Sequence, residues 1–585
     1  MKKAYIKVMP FLLAIVLLQS FVIMNFAKTN VFAKNIVTQF GNIYINDSLI
    51  DLNELSTISL DANKEEPLQV LLELKYSITN KLSLVQDDKF SEKDWRSEIE
   101  SFYYDKNSQI AENLLLPKST YIARFGPFLT FEISKEDNLK EIVENISSSK
   151  NVESINIHSK NINSDTVKHE HLYDDMSSTS GRALTISEIM GDYIFANNTD
   201  GYSGAGVTIG ILEDGLVDKN HPNFVGHTVI VNQIQGAQVL KHTTQVASII
   251  TTIAPSAKIL SAATRSVITL NNIMPQMDWL ISNGANVINN SWGLDEPGVY
   301  NWLSAYFDYV VNILGITQVV AISNSGFFMG NPELGRNVIS VGSVDSNVMK
   351  SSFSSYYRTA QIDALDLMGV GGGGTPTTGL IIPGFADTNL DSGTSYAAPQ
   401  VTGAIAILMQ QNFGLRNSPQ NVKALIVASA SPIVADDRNV RASGLDEKLG
   451  AGLLNLSTAM KNNNPISLPV RNGTNGQVVL SSQFYVSGFT PFRASLVNIV
   501  NNRNTSDMSP LFSVYNLRVV DPKGSIVNID NLPGGEGFFS ISRTTYNNVV
   551  RISTLLLDSG WYTLEVVLTG NQVVSGEMVS ISMIV

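Results

Sequence analysis

The sequence predicts an α/β protein whose centre is a parallel sheet flanked by helices, preceded by an N-terminal α+β segment and followed by a C-terminal β-sandwich. Three observations carry this expectation. Between about residues 181 and 460, apolar strands alternate with helical patterns, which favours a parallel sheet covered on both faces. Ahead of that stretch, residues 34–165 contain a strand, helix and strand grouping, and beyond residue 465 the helical period fades into short strands separated by turns. At 585 residues the chain exceeds one ordinary core, and roughly 100–200 residues per domain suggests three or four units.

Composition excludes several classes. Apolar residues are 44% and charged residues 16%, as in globular proteins and unlike disordered tails. The net charge of -12, from 40 basic and 52 acidic residues, argues against a nucleic-acid partner, because neutralising phosphates needs clustered Lys and Arg. There is no cysteine, so disulfides, thiolate metal sites and a cysteine nucleophile are all excluded.

Taken in order, Lys2, Lys3 and Lys7 precede an apolar stretch over residues 8–27, and Val31-Phe32-Ala33 offers small residues where a signal peptidase would cut. Residues 1–33 therefore read as a signal peptide for a secreted or cell-surface protein, although the apolar length also suits an uncleaved anchor. Residues 70–74, 128–133 and 152–157 read as strands. Ser134, with Asp137 three positions on, is expected to cap a helix whose apolar residues Leu139, Ile142, Val143 and Ile146 fall at i, i+3, i+4 and i+7. In the central stretch, residues 207–212, 258–262, 287–288 and 319–322 read as strands, and a parallel sheet places reactive groups at their carboxyl ends. The run Gly369-Val370-Gly371-Gly372-Gly373-Gly374 lacks the lysine and context of a phosphate loop and is expected to be a flexible surface loop. Further on, residues 513–520 and 561–568 are strand-like, punctuated by Asp521-Pro522-Lys523-Gly524 and Asp558-Ser559-Gly560.

Six histidines exist: His158, His169, His171, His221, His227 and His242. His169 and His171 could in principle share a metal, but Lys168, Glu170, Asp174 and Asp175 mark a solvated linker. His242 differs, because Val246, Ile249, Ile250 and Ile253 follow at helical spacing and would fix the imidazole at the start of a buried helix. Ser395, in Gly393-Thr394-Ser395-Tyr396-Ala397-Ala398-Pro399, opens a second such helix, with Val401, Ala404, Ile405 and Leu408 on its apolar face. Gly393 leaves room for a substrate backbone. A serine at a helix start is ordinarily a cap, and it becomes a nucleophile only with a base in reach and a third group orienting that base.

These stretches resemble the subtilisin-like serine proteases, the subtilase family, over roughly residues 181–460. The resemblance also rests on Gly206-Val207-Thr208-Ile209-Gly210-Ile211-Leu212, His221-Pro222-Asn223-Phe224 and Ala254-Pro255-Ser256-Ala257. It implies a subtilisin-like fold and a triad in the order acid, histidine, serine, with His242 as base and Ser395 as nucleophile. Asn324, in Ala321-Ile322-Ser323-Asn324-Ser325-Gly326, matches the family's oxyanion-hole asparagine, an interaction worth roughly 3–4 kcal/mol in such enzymes. Ser291, Trp292 and Gly293 match its substrate-binding strand. Residues 34–165 then read as a pro-segment acting as an intramolecular inhibitor, since residues 64–160 loosely resemble the family's propeptides. Calcium is implied by the resemblance alone.

Three departures stand out. The acid lies in Leu212-Glu213-Asp214-Gly215: counting from the glycine selects Glu213, and counting back from His221-Pro222 selects Asp214, the favoured reading. Thr243 follows the histidine where the family has glycine, and Gln245 replaces its second histidine. Ser323 replaces the glycine before the oxyanion asparagine. The expected protein is a secreted serine endopeptidase acting on protein or peptide substrates through an acyl-enzyme. Asp295 and Glu296 are positioned to favour basic side chains. The domains expected are a signal peptide over 1–33, a pro-segment over 34–165, a peptidase over 181–460 and a β-sandwich over 465–585. The alternatives are an inactive subtilase acting as a binding or regulatory protein, and an adhesive protein working through its C-terminal sandwich.

Overall fold

A computed structural model describes residues 42–45, 48–50, 68–76, 92–134, 137–159, 182–264, 269–294, 300–357, 365–375, 377–385, 390–433, 445–470, 473–488, 490–500, 514–526, 548–569 and 577–585. The leader, His169, His171, Asp295 and Glu296 lie outside the described residues. Among the described residues, no helix is long and apolar enough to cross a membrane.

The centre is a seven-stranded sheet of β1 (Thr208–Glu213), β2 (Val229–Val231), β3 (Lys258–Ala263), β4 (Val287–Asn290), β5 (Thr317–Ala321), β6 (Ile339–Val344) and β7 (Leu367–Val370). Their spatial order is β7-β6-β5-β4-β1-β3-β2, and every pairing is parallel. The α/β class with a parallel sheet is as the sequence implied, with strand ends displaced by up to two residues. Helices α1 (Lys241–Ile253), α2 (Leu270–Ser282), α3 (Trp302–Leu314), α4 (Thr394–Gln411) and α5 (Pro419–Ser429) accompany the sheet.

Both faces of the sheet are covered, which is why its strands are apolar without strict alternation. In β1 the period of two still sorts the side chains: Ile209 and Ile211 join α1 and α4 in one core, and Leu212 joins α2 and α3 in another. Helix α4 is buried from Thr394 to Met409, so it runs through the first core rather than over its surface.

The glycine run departs from expectation. Gly369 and Val370 belong to β7, and Gly371 to Gly373 are buried. A Cβ on Gly369 would come within 2.9 Å of the Ala397 carbonyl oxygen, and one on Gly371 would overlap Ser343 Oγ and the Gly393 carbonyl. Gly393 N–H also donates to the Gly371 carbonyl at 2.9 Å. The glycines are needed for close approach to the start of α4, a long-range constraint that a local reading takes for flexibility.

The N-terminal segment forms a six-stranded sheet that includes Leu68–Leu74, Phe128–Ile133 and Val152–Ser159, with helices Glu92–Asn113 and Leu139–Ser147. The cap of the second helix is Asn138, whose side chain accepts from Glu141 N–H. Ser134 instead donates its N–H and Oγ–H to Asp137, closing a local turn before the helix begins. The longer helix had no expectation in the sequence, because its polar composition hides the i, i+4, i+8 row of Trp95, Ile99 and Tyr103.

This segment docks on α2 and α3. The Arg96 guanidinium donates to the carbonyls of Ile281 at 2.6 Å and Ala285 at 2.9 Å, placing its positive charge at the carboxyl end of α2. Tyr121 Oη–H and Arg124 N–H donate to Asp278 at 2.6 and 2.8 Å. Phe128 meets Tyr306 and Tyr309 edge to face, with centroids at 5.8 and 5.0 Å.

After residue 465 come a four-stranded and a three-stranded sheet, paired antiparallel. They share one core, in which Phe484 and Phe492 stack at 4.3 Å. Arg493 and Arg551 both donate to the Ala430 carbonyl just past α5, at 2.6 and 3.0 Å, tying these strands to the central unit.

Candidate active site

The carboxyl end of β1 presents Glu213, fully buried. Its backbone carbonyl accepts from Thr264 N–H at 2.7 Å, and its Oε1 accepts from Ser291 N–H at 2.8 Å. Burial, then the neighbouring charge of Asp214, holds this carboxyl well above the usual carboxylate range, opposed by the Ser291 hydrogen bond. Its second oxygen lies 3.8 Å from His242 Nδ1. Asp214, one residue past the end of the strand, is half-buried, and its Oδ1 meets no hydrogen-bond donor among the described residues.

The chain returns from β1 to α1 through close packing. Leu216 N–H donates to the Gln238 carbonyl at 2.7 Å and the Leu216 carbonyl accepts from Leu240 N–H at 3.0 Å, and a Cβ on Gly215 would overlap the Leu240 side chain. This fixes His242 at the second position of α1, with its side chain 13% exposed. Thr243 is buried, and Thr244 Oγ donates to the Leu240 carbonyl at 2.8 Å while accepting from Asp218 N–H at 3.0 Å. Gln245 lies between two further groups: its Nε2 donates to Asp391 at 2.6 Å, and its Oε1 accepts from Tyr396 Oη–H at 3.0 Å. The Tyr396 ring stands edge-on to the imidazole at 5.5 Å. The sequence does not single out Tyr396 or Asp391, although Tyr396 adjoins Ser395 and Gln245 departs from the family pattern.

Ser395 occupies the second position of α4 and is 4% exposed. Its Oγ donates to the Ser291 carbonyl at 3.0 Å, and Ser291 Oγ donates to the Ser395 carbonyl at 2.9 Å. That carbonyl is free of the helix ladder because its i+4 partner is Pro399, which has no N–H. Asn289 Nδ2 donates to Ser291 Oγ at 2.9 Å and so orients it.

Asn324 follows the end of β5 and is exposed. Its Oδ1 accepts from Thr394 N–H at 3.0 Å and Thr394 Oγ–H at 2.9 Å, which assigns the other end of the amide as the donor. That Nδ2 lies 3.6 Å from where a Cβ on Gly393 would sit, beside Ser395. Of the other residues expected here, Ser291 and Gly293 line the end of β4, whereas the Trp292 side chain turns into the core against Phe307 at 6.1 Å. No group of three or more His, Asp or Glu among the described residues is placed to hold a metal ion.

The site thus gathers an acid, an imidazole, a hydroxyl and an amide from β1, α1, α4 and the end of β5. Residues 204–452 match the model of the subtilase family. Subtilisin BL of Lederbergia lenta is 30% identical over 238 residues, 37% of this chain and 81% of that protein. A probable subtilase-type serine protease of Deinococcus radiodurans is 27% identical over 329 residues, but the match spans only 44% of its length, and 48% of this chain. Among solved structures, the prenylagaramide maturation protease PagA is 26% identical with a TM-score of 0.38, covering 46% of this chain and 97% of that one. With residues 204–452 matching the family model and four fifths of a subtilisin matched at 30% identity, the chain belongs to the subtilase family of serine proteases.

Proposed function

We propose that the chain is an exported serine endopeptidase in which Ser395 attacks a peptide carbonyl, His242 moves the proton and Glu213 holds the histidine. The observation that carries this reading is the 3.8 Å approach of Glu213 Oε2 to His242 Nδ1. It favours Glu213 over Asp214, the acid first preferred from sequence. An anionic Glu213 accepts a hydrogen bond from Nδ1–H, fixes the tautomer that leaves Nε2 as base, and stabilises the imidazolium.

In the resting site Ser395 Oγ–H points to the Ser291 carbonyl. Catalysis requires the hydroxyl to turn to the imidazole, which happens when an incoming peptide pairs along Ser291 and Gly293. The proton passes to His242, the Ser395 oxygen bonds to the carbonyl carbon, and the Asn324 amide donates to the resulting oxyanion. His242 then protonates the leaving amine, and water releases the acyl-enzyme by the same route in reverse.

Three finer readings accompany this one. Residues 1–33 serve as the export signal, an assignment in keeping with the chain's place among bacterial subtilisins. Residues 34–165 act as a folding and inhibitory pro-segment, a reading supported by the docking of Arg96, Tyr121 and Phe128 on α2 and α3. The strands beyond residue 465 form a C-terminal sandwich, supported by their shared core. Calcium stays a family expectation for which the described side chains supply no ligand cluster.

A fluorophosphonate probe tests the central claim. The wild-type protein freed of its N-terminal segment should be labelled and Ser395→Ala should not. Absence of labelling in the wild type would favour an inactive subtilase acting as a binding protein.

A further inference from the structure

Glu333 is a fully buried carboxylate that the mechanism does not use. It lies where β4 and β5, neighbours in the sheet, run past their paired ends into Ser291, Trp292 and Gly293 on one side and Ile322, Ser323 and Asn324 on the other. Ser395 is bonded to the first extension through the Ser291 carbonyl, and Thr394 to the second through Asn324. A peptide held with its carbonyl carbon at Ser395 Oγ and its oxygen at Asn324 Nδ2 would lie across the gap between the two extensions, and the side chain of the residue supplying this carbonyl would enter the gap.

The Glu333 carboxylate spans it. One oxygen accepts from Ser323 Oγ–H at 2.6 Å and from Gly330 N–H at 2.7 Å. The other lies 2.9 Å from the position a Cβ on Gly293 would take. Ser323, at a position where the family carries glycine, is itself only 8% exposed. The segment bearing Glu333 has little freedom to retreat, because Leu294 and Asn331 exchange backbone hydrogen bonds at 2.7 and 3.3 Å and Ser340 Oγ donates to the Glu333 carbonyl at 2.8 Å.

Resting on the peptidase reading, we propose that Glu333 and Ser323 together floor the specificity pocket and restrict the residue before the cleaved bond to glycine, alanine or serine. Larger apolar side chains meet a filled, polar floor, and a buried carboxylate cannot move aside without giving up two hydrogen bonds. A lysine or arginine would have to displace the Ser323 hydroxyl to reach a carboxyl that has no exposed surface.

The test measures kcat/KM for one peptide carrying Ala, Leu, Phe or Lys before the cleaved bond. It compares the full-length protein, allowed to process its own N-terminal segment, with Ser323→Gly and Glu333→Gln. The wild type should favour Ala by at least ~10-fold, the scale on which a pocket discriminates by size. Ser323→Gly should narrow the gap to Leu and Phe by a similar factor, and Glu333→Gln, of equal size, should keep the order, with melting curves reporting that both variants fold. A wild-type preference for Leu or Phe overturns the proposal, as does a preference for Lys that disappears in Glu333→Gln. Fluorophosphonate labelling without turnover of the Ala peptide also overturns it. Absence of both labelling and turnover removes the peptidase reading, and this inference with it.

Discussion

Ser395 and Ser291 exchange hydrogen bonds, each hydroxyl donating to the other's backbone carbonyl at 3.0 and 2.9 Å. The pair exists because Pro399 lacks the N–H that would otherwise hold the Ser395 carbonyl within α4. Ser291→Ala should therefore leave a buried carbonyl without a donor and destabilise the fold by about 1–3 kcal/mol. Pro399→Ala restores a helical donor, so the double variant should lose less than the sum of the singles. Urea unfolding of the four proteins gives the coupling directly.

Glu213 has a carboxyl whose native pKa is raised by burial and by Asp214. A group raised in the native state favours the fold while both states hold the proton, and that advantage is lost as pH climbs from the ordinary 4.5 toward the native value. Glu213→Gln should thus keep or raise stability at neutral pH while lowering kcat by about 10⁴-fold, the loss seen when a triad acid becomes an amide. Asp214→Asn removes the repelling charge, so activity should persist and its acidic limb should move to lower pH. Loss of activity in Asp214→Asn with retention in Glu213→Gln would reverse the assignment.

Thr394 holds the Asn324 side chain through its oxygen, leaving Nδ2 beside Gly393. Asn324→Ala should lower kcat by about 10²–10³-fold with KM little changed, because the bond it supplies exists mainly in the transition state. An equal rise in KM would place the residue in ground-state binding instead.

Asp278 joins the N-terminal segment to α2, and burial raises its carboxyl from 3.8 to about 6 despite the hydrogen bonds from Tyr121 and Arg124. Its contribution to the stability of the unprocessed chain is complete below pH 3.8 and is lost as pH rises through 6. Asp278→Asn should flatten that part of the pH dependence, measured by thermal unfolding of Ser395→Ala protein, which cannot process itself. An unchanged profile would move the effect to another group.

The sequence by itself determined the alternation that makes a parallel sheet and the helices that carry His242 and Ser395, since these follow from local period and burial. Asn324 and the stretch from Ser291 to Gly293 came from motif likeness. Other features were decided only in three dimensions. Glu213 and Asp214 are adjacent acids, and the choice between them rests on which one the end of β1 aims at His242. The glycine run is packed because the start of α4 lies within contact distance of it, a fact absent from its own residues. Tyr396 and Asp391 gain their places from Gln245, 151 and 146 positions away, and Glu333 from Ser323, 10 positions away, as well as from its neighbour Gly330. Local pattern sets which elements form, whereas hydrogen bonds and packing between distant segments set which atoms meet.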